Sequence, residues 1–456
     1  MGSSFTERRH SISVLGWPTD IISIDPKPRN YSCSEHHLSS NNLQSDSSPS
    51  LVHTILFWVP GNPGQHDWYK LDFIDVLSGL DRGYAVRSIS HAGHGLFGKN
   101  AENDRISSEN SITDIEDYCR SRANKDNPGG ASPRIPWTVE GQVLHKVAYI
   151  DSLLASIKKE NCPHRTYNEH HHKCKSRRSY EFAPDLKFIM IGHSFGCHVI
   201  QRMCVLRPDI LERVSSFLFL MPYIRTKPPF ALDQRKLDFG GSRSELLIAI
   251  STKIVQILKS FPESLIRSAI RRGLDGGNGE DENITNITSK LITNPLYPRN
   301  FFELGTEEIR DIPNEIDITA LRLLSSHQSS LLHVTENSDG EHRRLTQERR
   351  RPIFILYAGD NDQWSPSFHG EEIIGFQSTN LLPRSIKTTK ISGLRHDYVC
   401  QGRPVRSMVN DWIISNILQT NHGISFAKTN AHDCSADGDV DTDKPRQPIA
   451  MLPSKL

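Results

Sequence analysis

The sequence predicts an α/β fold, with a mostly parallel central sheet, helices on both faces and a helical cap inserted into it. Runs that are apolar throughout, rather than alternating, recur along the chain, as strands buried on both faces require. Patterns of helical period lie between them, which is the alternation of βαβ units. The chain has 456 residues and 36% apolar content, slightly below a typical globular composition, so a well-formed core is diluted by polar insertions.

Residues 1–50 read as a partly disordered N-terminal segment, with a short strand at Thr19 to Asp25 and a Ser/Asn-rich linker from Tyr31 to Ser50. Order begins at Leu51-Val-His-Thr-Ile-Leu-Phe-Trp-Val59 and stops at Pro60-Gly-Asn-Pro-Gly64. Further strands are expected at Tyr84–Ser90, Leu186–Ile191, Val214–Met221 and Ile353–Tyr357, with helices at Trp68–Leu80, Thr138–Lys158, His198–Leu206 and Pro404–Leu418. Residues 51–221 then form the first part of the core, with polar insertions at 101–134 and 160–182. Residues 222–350 form a cap, 351–420 the second part of the core, and 421–456 a disordered tail.

The charge balance, 54 Lys+Arg against 53 Asp+Glu, argues against nucleic acid as a partner, because phosphate binding is driven by clustered excess positive charge. No stretch reaches the ~18 uninterrupted apolar residues of a spanning helix. The start, MGSSFTERRHSISVLGW, lacks the apolar run of a secretory signal. The eight cysteines are scattered, without the density of a disulfide scaffold, so a reducing, intracellular setting is expected.

The strongest chemical signal is Gly192-His-Ser-Phe-Gly196, which follows an apolar strand and opens a helix. A tight strand-to-helix turn exposes its serine above the sheet, and glycines on either side keep side chains from colliding. Ser194 is therefore the candidate nucleophile. The backbone N–H of Phe195 and the N-terminus of the following helix face developing negative charge. The second oxyanion donor is expected from the loop after the first central strand, at the backbone N–H of Asn62. A nucleophilic serine needs a base and an orienting acid. His396 lies in a loop before the last helix and is the candidate base. Two acids follow the strand Ile353–Tyr357, Asp360 and Asp362. Asp362 is preferred because it sits in G-x-x-D-x-x-x-P (Gly359, Asp362, Pro366), and Asp360 serves as the alternative that caps the turn.

These residues resemble the lipid droplet-associated hydrolases, a branch of the α/β-hydrolase superfamily. The resemblance rests on Pro60-Gly-Asn-Pro-Gly64, Ser90-His-Ala-Gly-His94, Gly141-Gln142 with His145-Lys146, the serine motif, Ile270-Arg-Arg-Gly-Leu274, Tyr357-Ala-Gly-Asp-Asn-Asp-Gln-Trp364 and His396. It spans about residues 51–415, and PGNPG together with SHAGH is its most specific part. In that family a tryptophan follows the acid two positions on, here Asp362 and Trp364, so the resemblance implies the set Ser194, Asp362 and His396. It also implies an α/β-hydrolase fold, a lipid ester (a sterol ester or an acylglycerol) as substrate, and residence at lipid droplets and the endoplasmic reticulum. No metal or organic cofactor is needed.

The remaining signals are read more plainly. His91 and His94 belong to a structural loop near the active-site mouth rather than to a metal site. Cys162-Pro-His164 and His170-His171-His172-Lys-Cys174 read as a solvated loop. In the cap, Leu246, Ile250, Ile254 and Leu258 fall on one helical stripe, broadened by Leu247, Ile248 and Val255, with Arg267, Arg271 and Arg272 behind, suited to phosphate headgroups. Both a cap helix over the pocket and a lipid-contacting anchor fit this stripe. The expectation is a lipid carboxylester hydrolase. Its rivals are a droplet-organising protein with little turnover and a soluble small-ester esterase.

Overall fold

The computed structural model describes residues 4–15, 17–27, 50–92, 94, 138–160, 180–225, 242–273, 282–294, 297–326, 350–359, 362 and 364–422. The insertion 101–134, most of 160–182 with its His/Cys cluster, the Ser-rich part of 324–350, Asp360 and nearly all of the tail 421–456 lie outside them.

Among the described residues, eight strands form one sheet. They are β1 (Phe5–Val14), β2 (Trp17–Pro26), β3 (Ser50–Val59), β4 (Tyr84–Ile89), β5 (Tyr180–His193), β6 (Val214–Leu220), β7 (Ile353–Tyr357) and β8 (Ile386–Lys390). Their spatial order is β1-β2-β4-β3-β5-β6-β7-β8. β1 and β2 pair antiparallel, as do β2 and β4. All pairings from β4 through β3, β5, β6 and β7 to β8 are parallel. A mixed edge followed by a long parallel run, with crossover helices between strands, is the α/β-hydrolase arrangement the sequence implied.

The N-terminal segment departs from expectation. The short strand at Thr19–Asp25 is the middle of β2, and β1 precedes it as the outer strand of a hairpin registered from Phe5 opposite Pro26 to Val14 opposite Trp17. The sheet therefore starts at residue 5, well before 51. β1 escaped detection because its sequence is polar and most of its residues are exposed.

The central strands are apolar throughout because both faces are covered. On β3, Ile55, Phe57 and Val59 enter one core with Met190, Phe217 and Phe219, whereas Leu56 and Trp58 enter the other with Ile189, Ile191 and Leu218. The first face is closed by α2 (Val139–Glu160) and α3 (Phe195–Leu206), the second by α1 (Lys70–Ser78) and α11 (Arg403–His422). Each fully buried Phe, Leu or Ile contributes roughly 1.5–3 kcal/mol, so the layers hold the strand ends in fixed relation. After α3, the short α4 (Pro208–Glu212) leads into β6.

Between β6 and β7 run α5 (Ser242–Leu258), α6 (Glu263–Gly273), α7 (Glu282–Ile292), α8 (Tyr297–Asp311) and α9 (Ile318–Ser325). α5 packs on α8, α6 on α7, and α8 on α2. α9 packs back on α3, with Leu321 and Leu324 in the main core. Between β7 and β8 lies α10 (Phe368–Ser378).

Candidate active site

Ser194 stands where β5 meets α3, with φ 52° and ψ −123°. A β-carbon disfavours that conformation by about 1–3 kcal/mol, so its surroundings must impose it. They do so from three elements. The Ser194 N–H donates to the Leu220 carbonyl at 2.9 Å, and the Ser194 carbonyl accepts from Cys197 N–H at 3.0 Å and Tyr223 N–H at 3.2 Å. Gly192 permits the approach, since a β-carbon there would lie 2.8 Å from Cys197 Cα.

His396, in the loop after β8, places Nε2 2.7 Å from Ser194 Oγ and Nδ1 2.9 Å from Asp362 Oδ2. Asp362, in the loop after β7, accepts at its other oxygen from Trp364 N–H at 2.9 Å and Ser365 N–H at 3.1 Å. Burial raises the Asp362 carboxyl, but the hydrogen bond and charge of His396 and those two backbone donors outweigh it and hold it below its ordinary value. An ionised Asp362 accepts only, so Nδ1 carries the ring proton and Nε2 is left to accept from the serine hydroxyl. The three candidates thus form one hydrogen-bonded line at the carboxyl ends of β5, β7 and β8. Asp362 is brought to His396, and Asp360 lies outside the described residues.

The PGNPG loop lies against the serine. A β-carbon on Gly61 would stand 2.8 Å from Ser194 Cβ, and the following Asn62–Pro63 peptide is cis. Only a residue without a side chain lets this loop approach so closely. Asn62 follows Gly61 in this loop, and Phe195 opens α3 directly after Ser194.

Two residues passed over in the sequence tie this assembly together. His193 Nε2 is 2.9 Å from the His396 carbonyl, and His193 Nδ1 is 2.7 Å from the Tyr69 hydroxyl. A carbonyl can only accept, so Nε2–H donates to it and the Tyr69 hydroxyl donates to Nδ1. Burial drives His193 down to about 3, which keeps the ring neutral and this polarity fixed. The Tyr69 oxygen also faces the Gly61 backbone. One buried line therefore runs from Tyr69, beside the PGNPG loop, through His193 to the backbone of His396. Tyr69 and His193 are 124 positions apart, and no local pattern in the sequence marks such a contact.

Behind the loop sits a buried polar frame. His94 Nδ1 is 2.5 Å from the Pro63 carbonyl, and His91 N–H donates to the Gly64 carbonyl at 3.2 Å. The His91 ring packs edge-on to Phe195 at 5.4 Å. Lys146 Nζ lies 3.0 Å from the Ser90 carbonyl and 3.0 Å from His145 Nδ1, and Gln142 brackets Ala92 through both its backbone groups. His91 and His94 thus occupy a loop that supports the oxyanion side, as their sequence context implied.

The cap stripe is only partly as expected. Leu246, Ile250 and Ile254 point outward, about half exposed, whereas Leu258 is half-buried and Ile257 takes the outward position. Phe261 and Leu265 continue the exposed face onto α6, and Ile248 and Val255 are buried on the opposite side. The helix period accounts for this: each step of four drifts by about 40°, so Leu258 ends about 120° round from Leu246, whereas Ile257 stays within about 20° of it. Arg267 and Arg271 both pair with Glu282 within the cap, and Arg272 bonds the Ser268 carbonyl at 3.4 Å. The first two guanidiniums are thus already engaged by a carboxylate.

The profile of the family described as lipid-droplet associated hydrolase matches residues 52–399. The chain belongs to the lipid-droplet associated hydrolase family. The lipid droplet-associated hydrolase of Gallus gallus is 23% identical over 381 residues, covering 83% of this chain and 90% of that protein. That of Homo sapiens is 25% identical over 284 residues, covering 61% and 68%. Among solved structures, a peroxisomal α/β-hydrolase of Saccharomyces cerevisiae aligns over 91% of this chain and 89% of its own, with 13% identity and a TM-score of 0.46. The chain is a hydrolase, and its family name ties it to lipid droplets.

Proposed function

We propose that the hydrolase is a serine carboxylester hydrolase of lipid esters, sterol esters or acylglycerols, working at the surface of lipid droplets and on the cytoplasmic face of the endoplasmic reticulum. The observation that carries this reading is the Ser194–His396–Asp362 line, with separations of 2.7 and 2.9 Å. His396 Nε2 takes the Ser194 proton as Oγ attacks the ester carbonyl, and Asp362 steadies the imidazolium. The Phe195 and Asn62 amides receive the oxyanion. His396 then returns the proton to the departing alcohol, and water, deprotonated in turn by His396, releases the fatty acid from the acyl-serine.

Contact with lipid is assigned to Leu246, Ile250 and Ile254, with Ile257, Phe261 and Leu265 added and Leu258 in a supporting position. Exposed large side chains on adjoining helices suit insertion into a monolayer, and isolated ones would not need it. Hydrolysis of a cholesteryl ester and a triacylglycerol in emulsion, by the native chain and by Ser194→Ala, tests the activity. Turnover that requires Ser194 supports the reading, and equal rates in both sink it. The same exposed face favours a second reading, a droplet-organising protein with little turnover. A cellular droplet phenotype unchanged by Ser194→Ala would select it.

A further inference from the structure

Glu308 belongs to no motif and takes no part in the Ser194–His396–Asp362 line, yet it is a carboxyl on α8 with only 6% of its surface exposed. Its spacing from Phe301 and Gly305 sets it on the same face of α8, beside the carboxamide of Asn62. The same helix meets Asn62 at two other points. Asn62 Nδ2–H donates to the Phe301 carbonyl at 3.4 Å, and Gly305 is so close that a β-carbon there would stand 3.6 Å from Asn62 Nδ2. α8 therefore lies directly on the side chain of Asn62, whose backbone N–H is assigned to the oxyanion in the reading above. Gly61, the preceding residue, is the one pressed against Ser194. On its other side α8 carries α5, the helix with the exposed apolar face.

The energetics argue that Glu308 is not there for stability. Its Oε1 and the Asn62 Oδ1 are both buried without a partner, and each such atom costs about 1–3 kcal/mol. Burial raises the Glu308 carboxyl well above the ordinary range, and the Asn62 contact offsets this only in part. A leucine in its place would remove the penalty while filling the volume. A polar pair kept at that cost, one residue from the serine contact, has a use in the chemistry.

We propose that Glu308 is a positioning residue for hydrolysis: through the Asn62 side chain it fixes the loop that offers the Asn62 N–H to the oxyanion, so that donor is in place only while α8 is seated. The proposal rests on the esterase reading above. It makes the cap a working part of the oxyanion hole, and it gives α5 on the lipid surface a direct mechanical route to the catalytic loop.

A double-mutant cycle on a long-chain p-nitrophenyl ester tests it. Glu308→Leu and Asn62→Ala should each lower kcat about 10-fold, a fraction of the ~10²–10³ carried by a whole oxyanion donor, with KM within about twofold. The double variant should be no slower than the slower single one, because both act through one contact. Glu308→Gln keeps a polar group of the same shape against Asn62 and should stay within about threefold of native. Additive losses, or a Gln variant as slow as the Leu variant, overturn the proposal. An infrared readout needs no turnover: the protonated-carboxyl stretch lost in Glu308→Gln should shift in Asn62→Ala. A native chain that hydrolyses esters while that band stays unmoved in Asn62→Ala overturns the proposal alone. A native chain that hydrolyses no ester overturns the proposal together with the reading beneath it.

Discussion

Gly61→Ala is the sharpest probe of how the oxyanion loop meets the nucleophile. The added methyl would stand 2.8 Å from Ser194 Cβ, 3.1 Å from the His193 carbonyl and 3.2 Å from His193 Nδ1. Ordinary contact begins at 3.4 Å, so the loop must retreat from the serine by about 0.6 Å, and none of the three neighbours can swing aside. Ser194 is pinned through its backbone, and His193 is held at both ring nitrogens. A displacement of about 1 Å at a reacting group costs on the order of 10²-fold, and loss of one oxyanion donor ~10²–10³-fold. The expected outcome is a fall in kcat of roughly 30- to 300-fold with little change in KM, measured on a soluble ester. Overpacking of this kind costs about 1–3 kcal/mol, read as a lowered melting temperature. Gly375→Ala is the control, because this glycine is exposed on α10 with nothing within 4 Å of the added carbon. It should gain about 0.5–1 kcal/mol of stability and keep full activity. A folded Gly61→Ala protein with native kcat would refute the argument that close approach of this loop is needed.

Further expectations follow from the same geometry. Asp362→Asn leaves the shape intact but frees the wrong tautomer of His396, so kcat should fall by ~10³–10⁴, while Asp360→Ala should leave it near native; steady-state kinetics decide between them. Because the Asp362 carboxyl is held below the ordinary aspartate value of 3.8, its contribution to stability is present above that pH and is lost as pH falls through the lower native value. Melting curves of the native chain and Asp362→Asn should therefore converge on acidification below about 4. Tyr69→Phe removes the hydroxyl that donates to His193 and should cost about 1–3 kcal/mol with a drop in kcat, seen by calorimetry and rate together. Replacing Leu246, Ile250, Ile254 and Ile257 by serine should weaken partition onto triolein droplets coated with phosphatidylcholine by on the order of 10²-fold, with hydrolysis of a soluble ester unchanged. Undiminished partition in a flotation assay would remove this face from the account.

The sequence was most legible where local chemistry and burial agree. β3, β5 and β7 are apolar on both faces, so their runs stand out, and each is followed by a loop carrying one part of the site. The two missed strands, β1 and β8, are the sheet edges. Only Ile386 of Ile386–Lys390 is buried, and a strand with one inward residue has no pattern to read. Ser194 was marked by its place between a strand and a helix, His396 by its loop before the last helix, and Asp362 by its loop form. Tyr69, His193 and Glu308 were not, because their roles arise from contacts between distant segments. The apolar helix α5 was harder for a related reason: it is buried on one side by α8 and exposed on the other, so it shows a broad stripe, and which edge of that stripe is covered is decided by packing against α8 rather than by the pattern.

The most direct test of the central claim is labelling of the purified hydrolase by a fluorophosphonate, which reacts only with a serine whose proton has a base to receive it. The account predicts rapid labelling of the native chain, none in Ser194→Ala, slow labelling in Asp362→Asn and native labelling in Asp360→Ala. A well-folded native protein that the probe does not touch, or labelling that persists in Ser194→Ala, would contradict it.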